Sequence, residues 1–572
     1  MLNSKTHLPF FLAFLVSTIF SIQLKGQDFV PPMDIPLFLS GNFGELRSNH
    51  FHTGIDIKTQ GKSGIPVKSV AAGEIVRIKV SPSGYGNALY IRHANGYTSV
   101  YAHLSSFNES ILNALRAQQY KVKSYAVDFF PEAGALPVDQ SEIIALSGNS
   151  GGSSGPHLHF ELRDSKTEEP VNPLLFTFPI KDDIPPSIYG LMVYPLDTHS
   201  HVNGSNEEQN FACGGEFSNY TLKNGVTIEA NGNIGLGFHI VDRLNGYPNK
   251  CGFHHATLYE NDSLVWEQKM DRLNFATNRY INTHMDYYLY KRKKKSYHRF
   301  FKQPNNKLEI YGQFNTQLGG LKFEGGENKK YTLEVKDAYE NNSKFTFNIL
   351  GSTTKKTFKE TNNFVWNKDH SIKEAGFSIF IPKEALYEDV FLSFEEKRHE
   401  DGSLNYVYIG NTAIPLHKNF EARIKMPNLP DSLFSKLYAK KYSEKTGNPY
   451  PSGGRGDLAT RELVIKSRNF GKYTYGVDTI APEITQFTFS NGSSFSNFKT
   501  LGFVLKETES GIASYDLTID GEWALLEYLP KRRKLVHTID QARFGKGKKT
   551  LTLTLTDYRG NKRIYTREIN LI

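Results

Sequence analysis

Alternating hydrophobic and polar positions dominate the first part of the chain and predict short β-strands. Residues 73–79 (GEIVRIK) alternate as a half-buried strand does. Similar runs cover residues 65–70, 88–92 and 98–104, with glycine-containing turns between them. Residues 109–117 have instead the pattern of a helix, and the sequence from there to Pro137 is mixed and loop-like. We therefore expect a strand-rich domain over residues 27–180 with an inserted segment at about 108–138.

Two later regions share the same opening and closing sequences. Residues 183–188 (DIPPSI) resemble residues 478–484 (DTIAPEI), and residues 335–342 (VKDAYENN) resemble residues 555–562 (LTDYRGNK). Recurring strand-rich units with turn signals predict β-sandwich modules, immunoglobulin-like in architecture. We expect such modules at 181–352 and 478–572, and a third β-rich module at 353–477.

The N-terminus has the pattern of an export signal. Lys5 precedes an apolar run from Leu8 to Leu24, and polarity returns at residues 25–27. The length and flanks predict a signal peptide at 1–26, with an uncleaved anchor as the alternative. We expect secretion across the inner membrane to the periplasm, the cell surface or the medium, and no transmembrane anchor in the mature protein.

Length, charge and cysteine content narrow the function classes. At 572 residues the chain is too long for one core, so three to five domains are expected. The net charge of +9 is spread along the chain, and the one basic run, residues 291–295, is expected to be a solvated hairpin or loop. No recognition helix accompanies it, so nucleic-acid binding is not expected. The only two cysteines, Cys213 and Cys251, could bridge strands of one domain but cannot form a four-thiolate zinc site.

Five polar residues in three short stretches are the candidates for chemistry: His52, Asp56, His103, His157 and His159. A zinc enzyme needs three nitrogen or oxygen ligands and one open position, and two histidines with one aspartate meet that need. Imidazole with carboxylate suits zinc better than magnesium or calcium. Two further histidines can serve as general base and as support for an oxyanion. Spacing alone leaves open which histidine does what.

Strand parity adds a geometric expectation for these residues. Residues two apart in a strand face the same side, so His157 and His159 should point into one cleft while Leu158 and Phe160 pack in the core. The same rule places Tyr101 and His103 on one face.

The three stretches, FHTGIDI (51–57), YAHL (101–104) and GNSG (148–151) continuing to GPHLHFE (155–161), resemble the LytM/lysostaphin-type peptidases of family M23. The resemblance covers roughly residues 41–175, with all motifs in order. It implies an antiparallel β peptidase domain of the duplicated hybrid motif type. It further implies one Zn²⁺ per chain held by His52, Asp56 and His159, with His103 and His157 as catalytic histidines, and hydrolysis of peptide bonds in peptidoglycan stems or cross-links.

Some relatives of that family have lost their metal ligands and activate other wall hydrolases, so a non-hydrolytic wall-binding or activating protein is the alternative. All five positions are filled here, which favours the peptidase. The segment between His103 and His157 is about 15 to 20 residues longer than expected, a length that suggests a lid. The β modules are candidates for contacts with wall polymer or partner proteins.

A serine hydrolase is a further alternative, because residues 148–152 and 151–155 both fit G-x-S-x-G. A nucleophile elbow joins a strand to a helix, but a strand is expected after Pro156. The glycines are better explained as a turn that delivers His157 to the cleft.

Overall fold

The computed structural model describes residues 29–216, 218–314 and 316–572, so the expected signal peptide at 1–26 lies outside the described residues. The chain is mainly β, as expected. Within the described ranges, no helix has the length and apolar character needed to cross a lipid bilayer.

The first domain is built from fourteen short strands and one helix. The strands are β1 Leu39–Gly41, β2 Leu46–Arg47, β3 His50–Phe51, β4 Ile55–Lys58, β5 Pro66–Lys68, β6 Gly73–Val80, β7 Asn87–His93, β8 Tyr97–Leu104, β9 Ser106–Phe107, β10 Val127–Phe129, β11 Pro137–Val138, β12 Ile143–Leu146, β13 His157–Asp164 and β14 Pro170–Val171. The helix, α1, spans Glu109–Val122.

Antiparallel pairing places β13 in the middle of the main sheet. The order is β1-β4-β13-β8-β7-β6-β10, with β14 on β13 and β11 on β6, while β5-β12-β9 form a small second sheet. Leu158, Phe160 and Leu162 of β13 are fully buried in the apolar core on one face, as the alternation predicts. The opposite face of β13 is thereby left to carry the polar side chains of the candidate site.

The inserted segment does not stand alone on the surface. Helix α1 is capped at its N-terminus by Asn108, whose side chain accepts a hydrogen bond from the Ile111 N–H. The helix packs against the C-terminal module, where the ring of Tyr120 meets Trp523 at 5.3 Å and the Arg543 guanidinium lies 3.8 Å from the Tyr120 ring centre. The helix was predicted, although it is longer than residues 109–117.

The remaining strands form three groups of sheets along the chain. The first contains Ser187–Pro195, His201–Val202, Gln209–Glu216, Asn219–Leu222, Glu229–Val241, His255–Glu260, Ser263–Lys269, Tyr297–Arg299, Tyr311–Phe314, Leu321–Phe323, Asn328–Lys336 and Asn342–Gly351. The second contains His370–Lys373, Phe377–Ile381, Phe394–Arg398, Leu404–Ile409, Pro415–Lys425, Leu437–Tyr442, Pro449–Pro451, Arg455–Asp457, Glu462–Asn469 and Gly471–Val477. The third contains Glu483–Phe487, Ser494–Phe495, Thr500–Lys506, Ile512–Ile519, Glu522–Ala524, Glu527–Leu529, Lys534–Thr538, Gly547–Asp557 and Lys562–Leu571.

Short helices interrupt these sheets at Ile281–His284, Tyr287–Lys293 and Gln541–Phe544. The second of them corrects the expectation for the basic run 291–295, because residues 291–293 form its last turn and Lys294 ends it in the left-handed conformation. Cations at a helix C-terminus are stabilised by the helix dipole, which accounts for a helix where a loop was expected. Cys213 and Cys251 are both free and buried, so they do not bridge strands.

A second apolar cluster joins the first domain to the module that follows it. Phe43 and Phe51 of the first domain pack with residues contributed by later parts of the chain: Met270, Leu273, Tyr280, Ile281, Met285, Leu308, Ile310 and Tyr387. Phe51 is fully buried in this cluster. The residue preceding His52 is therefore held by chain segments that lie more than 200 residues away in sequence.

A chain that ends at residue 180 is expected to fold poorly and to lose the candidate site. Exposure of Phe43 and Phe51 to water removes about 1.5–3 kcal/mol of burial energy for each side chain. Thermal unfolding followed by circular dichroism measures the effect. A chain that ends at residue 477 retains the shared cluster and serves as the control. A cooperative transition at the same temperature in both chains contradicts the expectation.

Candidate functional site

His52, Asp56 and His159 meet at one point on the polar face of the main sheet. The His52 Nε2 atom lies 3.1 Å from Asp56 Oδ1 and 3.0 Å from His159 Nδ1, and His159 Nδ1 lies 2.9 Å from Asp56 Oδ1. All three side chains are buried. The three atoms form a nearly equilateral triangle.

The outer hydrogen bonds fix which nitrogen of each ring faces this triangle. His52 Nδ1 lies 2.7 Å from the Asn42 carbonyl and must donate its proton there, so Nε2 carries the lone pair. His159 Nε2 donates in the same way to Glu161 Oε1 at 2.8 Å, which leaves the lone pair on Nδ1. When the His159 ring is neutral, its lone pair, that of His52 and one of the carboxylate oxygen converge on one point. That arrangement fits a metal cation.

The electrostatics of the triangle call for a positive charge at its centre. Burial lowers the pKa of His52 to about 4, so this ring stays neutral at pH 7. Burial also disfavours the charged form of His159, but hydrogen bonds to Asp56 and Glu161 prevail and raise its pKa to about 9. The two carboxylates thus draw a proton to the place where a metal cation would compete with it.

Strand pairing accounts for the convergence. β13 runs antiparallel to β4 and places His159 directly opposite Asp56, so both side chains leave the same face. Gly54 permits the approach of the preceding loop, because a Cβ atom there would come within 2.3 Å of the Phe160 carbonyl oxygen. A glycine between His52 and Asp56 is therefore required sterically.

Behind His159 lies a buried polar network. Glu161 Oε1 accepts hydrogen bonds from Thr53 Oγ1 at 2.6 Å and from the Tyr85 hydroxyl at 2.5 Å, and Glu161 Oε2 binds Arg163 at 2.6 Å. Burial raises the pKa of Glu161, but Arg163 and His159 outweigh it and hold that pKa below its usual range. The charged carboxylate therefore fixes the orientation of the His159 ring.

Sequence reasoning missed the part played by Glu161 and Arg163. A signal was present, because His157, His159, Glu161 and Arg163 occupy every second position of one strand and so share a face. Four polar residues on the inward side of an otherwise apolar strand indicate a buried polar network.

His103 lies at the site, but its side chain is on the face of β8 opposite to the one that the parity rule predicted. The parity rule placed it on the face of Tyr101, but Tyr101 is buried in the core against Phe160. The pairing of β8 with β7 shifts register between Tyr101 and Leu104, and His103 has a φ of 60°. This bulge turns the His103 ring to the other face. There its centre lies 4.8 Å from that of His157.

His103 and His157 present the same nitrogen to the cleft. Each donates from Nδ1 to a backbone carbonyl at 2.9 Å, His103 to Ser150 and His157 to Gly155, so Nε2 is left as the atom able to exchange a proton. His157 Nε2 lies 3.4 Å from Asp56 Oδ1. Burial, with the two neighbouring histidines, lowers the pKa of His103 to about 3, which keeps it neutral at pH 7.

The serines of the G-x-S-x-G stretches hold the turn before β13. Ser150 Oγ donates to the Leu104 carbonyl at 2.8 Å and accepts from the Asn87 N–H at 2.9 Å. Ser153 Oγ donates to the Gly155 carbonyl at 2.6 Å. The chain continues from this turn into β13 and not into a helix, so no nucleophile elbow is formed.

The polar face opens into a cleft of about 800 Å³ lined by residues of three regions. Asp56, His103 and His157 lie in it, Arg47 and Lys58 flank it, and Tyr247 and Asn249 of the following module form one wall. The inserted segment 108–138 contributes none of the lining residues. In this conformation it does not act as the expected lid.

Residues outside the three motifs brace the site. Arg47 binds Asp56 Oδ2 at 2.6 Å, which leaves Oδ1 to face the triangle. Asn42, whose carbonyl holds His52, exchanges two side-chain hydrogen bonds with Gly252 at 2.6 and 2.7 Å. Asn278 accepts from the Phe51 N–H at 2.7 Å. The module after residue 181 thus fixes the backbone on both sides of the His52 ring.

Comparison with known proteins relates both the first domain and a later module to described families. The model of Peptidase family M23 matches residues 50–120, and that of the Zu5-like domain matches residues 361–478. The DD-carboxypeptidase/endopeptidase Mpg of Neisseria meningitidis is 36% identical over 163 residues, which are 28% of this chain and 31% of Mpg. The peptidoglycan DD-endopeptidase ShyA of Vibrio cholerae is 28% identical over 29% of this chain and 33% of its own.

Among solved structures, the catalytic domain of the prophage-encoded M23 protein EnpA from Enterococcus faecalis is 25% identical over 25% of this chain and 95% of its own, with a TM-score of 0.19. The chain spans about a third of the length of the two curated relatives. The family match begins at His50 and includes His52, Asp56 and His103. The alignment with Mpg covers 163 residues and is therefore longer than the family match. The first domain of this chain is a member of peptidase family M23.

Proposed function

We propose that the chain is a zinc-dependent endopeptidase that hydrolyses peptide bonds in peptidoglycan stem peptides or cross-links. The observation that carries the proposal is the convergence of three lone pairs, from His52, Asp56 and His159, at the floor of an open cleft that two further histidines also enter. A structural metal site has no need of such a cleft.

The donor set supports zinc as the metal. Two imidazole nitrogens and one carboxylate oxygen are the ligand types of catalytic zinc sites, which keep a fourth position open. Bonds of about 2.0–2.2 Å in a tetrahedral site separate ligand atoms by roughly 3.3 Å, close to the separations of 2.9 to 3.1 Å found here. When bound, zinc supplies Lewis acidity toward a water molecule and a peptide carbonyl.

The chain's own groups manage the protons of hydrolysis. Water adds to the carbonyl carbon, the C–N bond breaks, and a proton must leave the water while another reaches the departing amine. We assign these transfers to His103 Nε2 and His157 Nε2, the two ring nitrogens that have no backbone partner and face the cleft. Arg47 and Glu161 hold Asp56 and His159 in place during the reaction.

Peptidoglycan as the substrate is inferred from the similarity to the peptidoglycan DD-endopeptidase ShyA and the DD-carboxypeptidase/endopeptidase Mpg, together with the open shape of the cleft. A secreted protein of the periplasm or cell surface would meet that substrate. All five motif positions are filled, so a non-hydrolytic wall-binding or hydrolase-activating role is not favoured. The β modules after residue 181 are proposed to contact wall polymer or partner proteins.

Digestion of purified peptidoglycan by the full chain tests the proposal. We expect soluble muropeptides whose masses show cleavage of peptide bonds, one zinc per chain by elemental analysis, loss of activity with a chelator and recovery with added zinc. A zinc-loaded, folded protein that releases no fragments from walls of several stem-peptide types would refute hydrolysis.

A further inference from the structure

Three aspartates meet where the first domain joins the next module. Asp182 lies in the connecting segment, Asp242 directly follows the strand Glu229–Val241, and Asp337 directly follows the strand Asn328–Lys336. Each offers one oxygen, and the three oxygens lie within 4.8 Å of one another. Asp242 and Asp337 are only 1% and 2% exposed. Three carboxylates this close repel one another unless a cation or protons lie among them.

Two carboxylate oxygens of these aspartates are buried without a hydrogen-bond donor, namely Asp182 Oδ2 and Asp242 Oδ1. Asp337, in contrast, accepts from the N–H groups of Tyr339 and Asn341. Among the described residues the three aspartates take part in no ion pair, and Lys181 binds the exposed Asp183 instead. A buried carboxylate oxygen that lacks both a donor and a cation is strongly disfavoured.

The repeated C-terminal module provides an internal comparison. Asp478, Glu507 and Asp557 occupy corresponding positions and also offer oxygens within 4.8 Å of one another. There Ser510 donates to Asp478 from both its N–H and its hydroxyl. The Asn561 side chain donates to Asp557, as the Asn341 side chain does to Asp337 in the first cluster. No oxygen of that trio is among the buried atoms without a partner in the part of the chain described. The difference between the two clusters is therefore that Asp182 Oδ2 and Asp242 Oδ1 lack a protein donor.

We propose that Asp182, Asp242 and Asp337 bind one calcium ion. The three ligands are all carboxylates, which are the donors that hard divalent cations prefer. Calcium accepts about six to eight oxygen ligands in a flexible geometry, so it fits three carboxylates from separate segments better than magnesium, which demands a near-ideal octahedron. Water completes the coordination on the side of the half-buried Asp182.

The ion would fix the base of a loop that forms one wall of the catalytic cleft. Residues 242–251 form a loop, and two backbone hydrogen bonds of 2.9 and 3.0 Å between Asp242 and Cys251 join its ends. At the tip, Tyr247 and Asn249 line the cleft, and the Lys58 amine lies 4.1 Å from the centre of the Tyr247 ring. The effect on substrate rests on the proposed function, but the binding of calcium does not.

Protons compete with calcium for this cluster. Burial, with Asp337 and Asp183 nearby, raises the pKa of Asp182 to about 7, and burial with Asp182 and Asp337 raises that of Asp242. Arg243 opposes this at Asp242, and Tyr339 and Cys251 are further titratable groups at the cluster. Without calcium, the stability contributed by protonated Asp182 is complete below about pH 4 and is lost as the pH rises through about 7. Calcium should restore that stability above pH 7.

Terbium luminescence tests the site, because Tyr339 is adjacent and can sensitise a Tb³⁺ ion bound in place of calcium. In the full chain we expect tyrosine-sensitised emission that added Ca²⁺ reverses, and a Ca²⁺-dependent rise in melting temperature at pH 8 but not at pH 5. Asp242→Asn should abolish both responses. It should also melt higher than the wild type in the absence of calcium, since it relieves repulsion, and lower in its presence.

Asp183→Asn is the matched control, because it removes an exposed carboxylate next to Asp182 and should leave both responses unchanged. Asp182→Asn is a second test at a half-buried position, should Asp242→Asn fail to fold. His159→Ala should retain the terbium signal, which separates this site from the zinc centre. Full terbium emission and an undiminished calcium shift in both aspartate variants would overturn the proposal.

Discussion

His159→Ala is expected to abolish zinc binding and peptidoglycan hydrolysis together. The variant removes one of three converging ligands, and even the loss of an outer hydrogen bond to a zinc ligand lowers affinity or activity about 10- to 100-fold. We therefore expect hydrolysis to fall by more than about 100-fold. Zinc content by elemental analysis and release of muropeptides measure the two effects.

His103→Ala should separate metal binding from turnover. His103 lies beside the triangle but not in it, so the variant should retain zinc while hydrolysis falls about 100- to 10,000-fold, the usual contribution of a proton-transfer group. His50→Ala, on an exposed neighbour, is the control and should retain both zinc and activity. If His103→Ala and His159→Ala lose zinc equally, the assignment of His103 to proton transfer is wrong.

Glu161→Gln is expected to weaken zinc binding and to destabilise the fold. The neutral amide holds the His159 ring less firmly, which should lower zinc affinity about 10- to 100-fold. It also leaves the Arg163 guanidinium buried without its carboxylate, and breaking a buried ion pair in this way costs about 3–5 kcal/mol. Metal-competition titration and chemical denaturation measure the two effects independently.

Glu168→Gln is a close control, because Glu168 Oε2 lies 3.6 Å from the same Arg163 guanidinium but is more than half exposed. Exposed ion pairs contribute less than about 1 kcal/mol, so this variant should unfold like the wild type and retain zinc. Equal effects of the two substitutions would show that burial of Glu161 has no special importance.

Local sequence was sufficient to predict β5 to β8 of the first domain and the facing of the side chains on β13. His157 and His159 share a face because the strand is regular there, and Leu158 and Phe160 enter the core as alternation requires. The same rule failed at His103, since one extra residue in β8 at the bulge reverses the parity. A bulge depends on the partner strand and is not visible in the strand's own pattern.

Contacts between distant segments were beyond prediction from the sequence. Nothing about Gly252 or Asn278 indicates that their backbone and side chain hold the loop around His52, because such pairing depends on tertiary arrangement. The helix Tyr287–Lys293 was also not predicted from the sequence. Its basic residues are exposed, as their charges suggested, but the N-cap at Asp286 and the helix dipole favour a helix over the expected loop.

The apolar cluster around Phe51 has a consequence for the order in which the protein matures. Chains emerge from the ribosome N-terminus first, and N-terminal domains commonly fold before later ones are made. Here the strand beside His52 gains its packing only after residues 270–310 have appeared, and Tyr387 joins later still. A newly made chain therefore carries His52, Asp56 and His159 long before it can arrange them, so we expect the proposed hydrolytic activity only after most of the polypeptide has been synthesised.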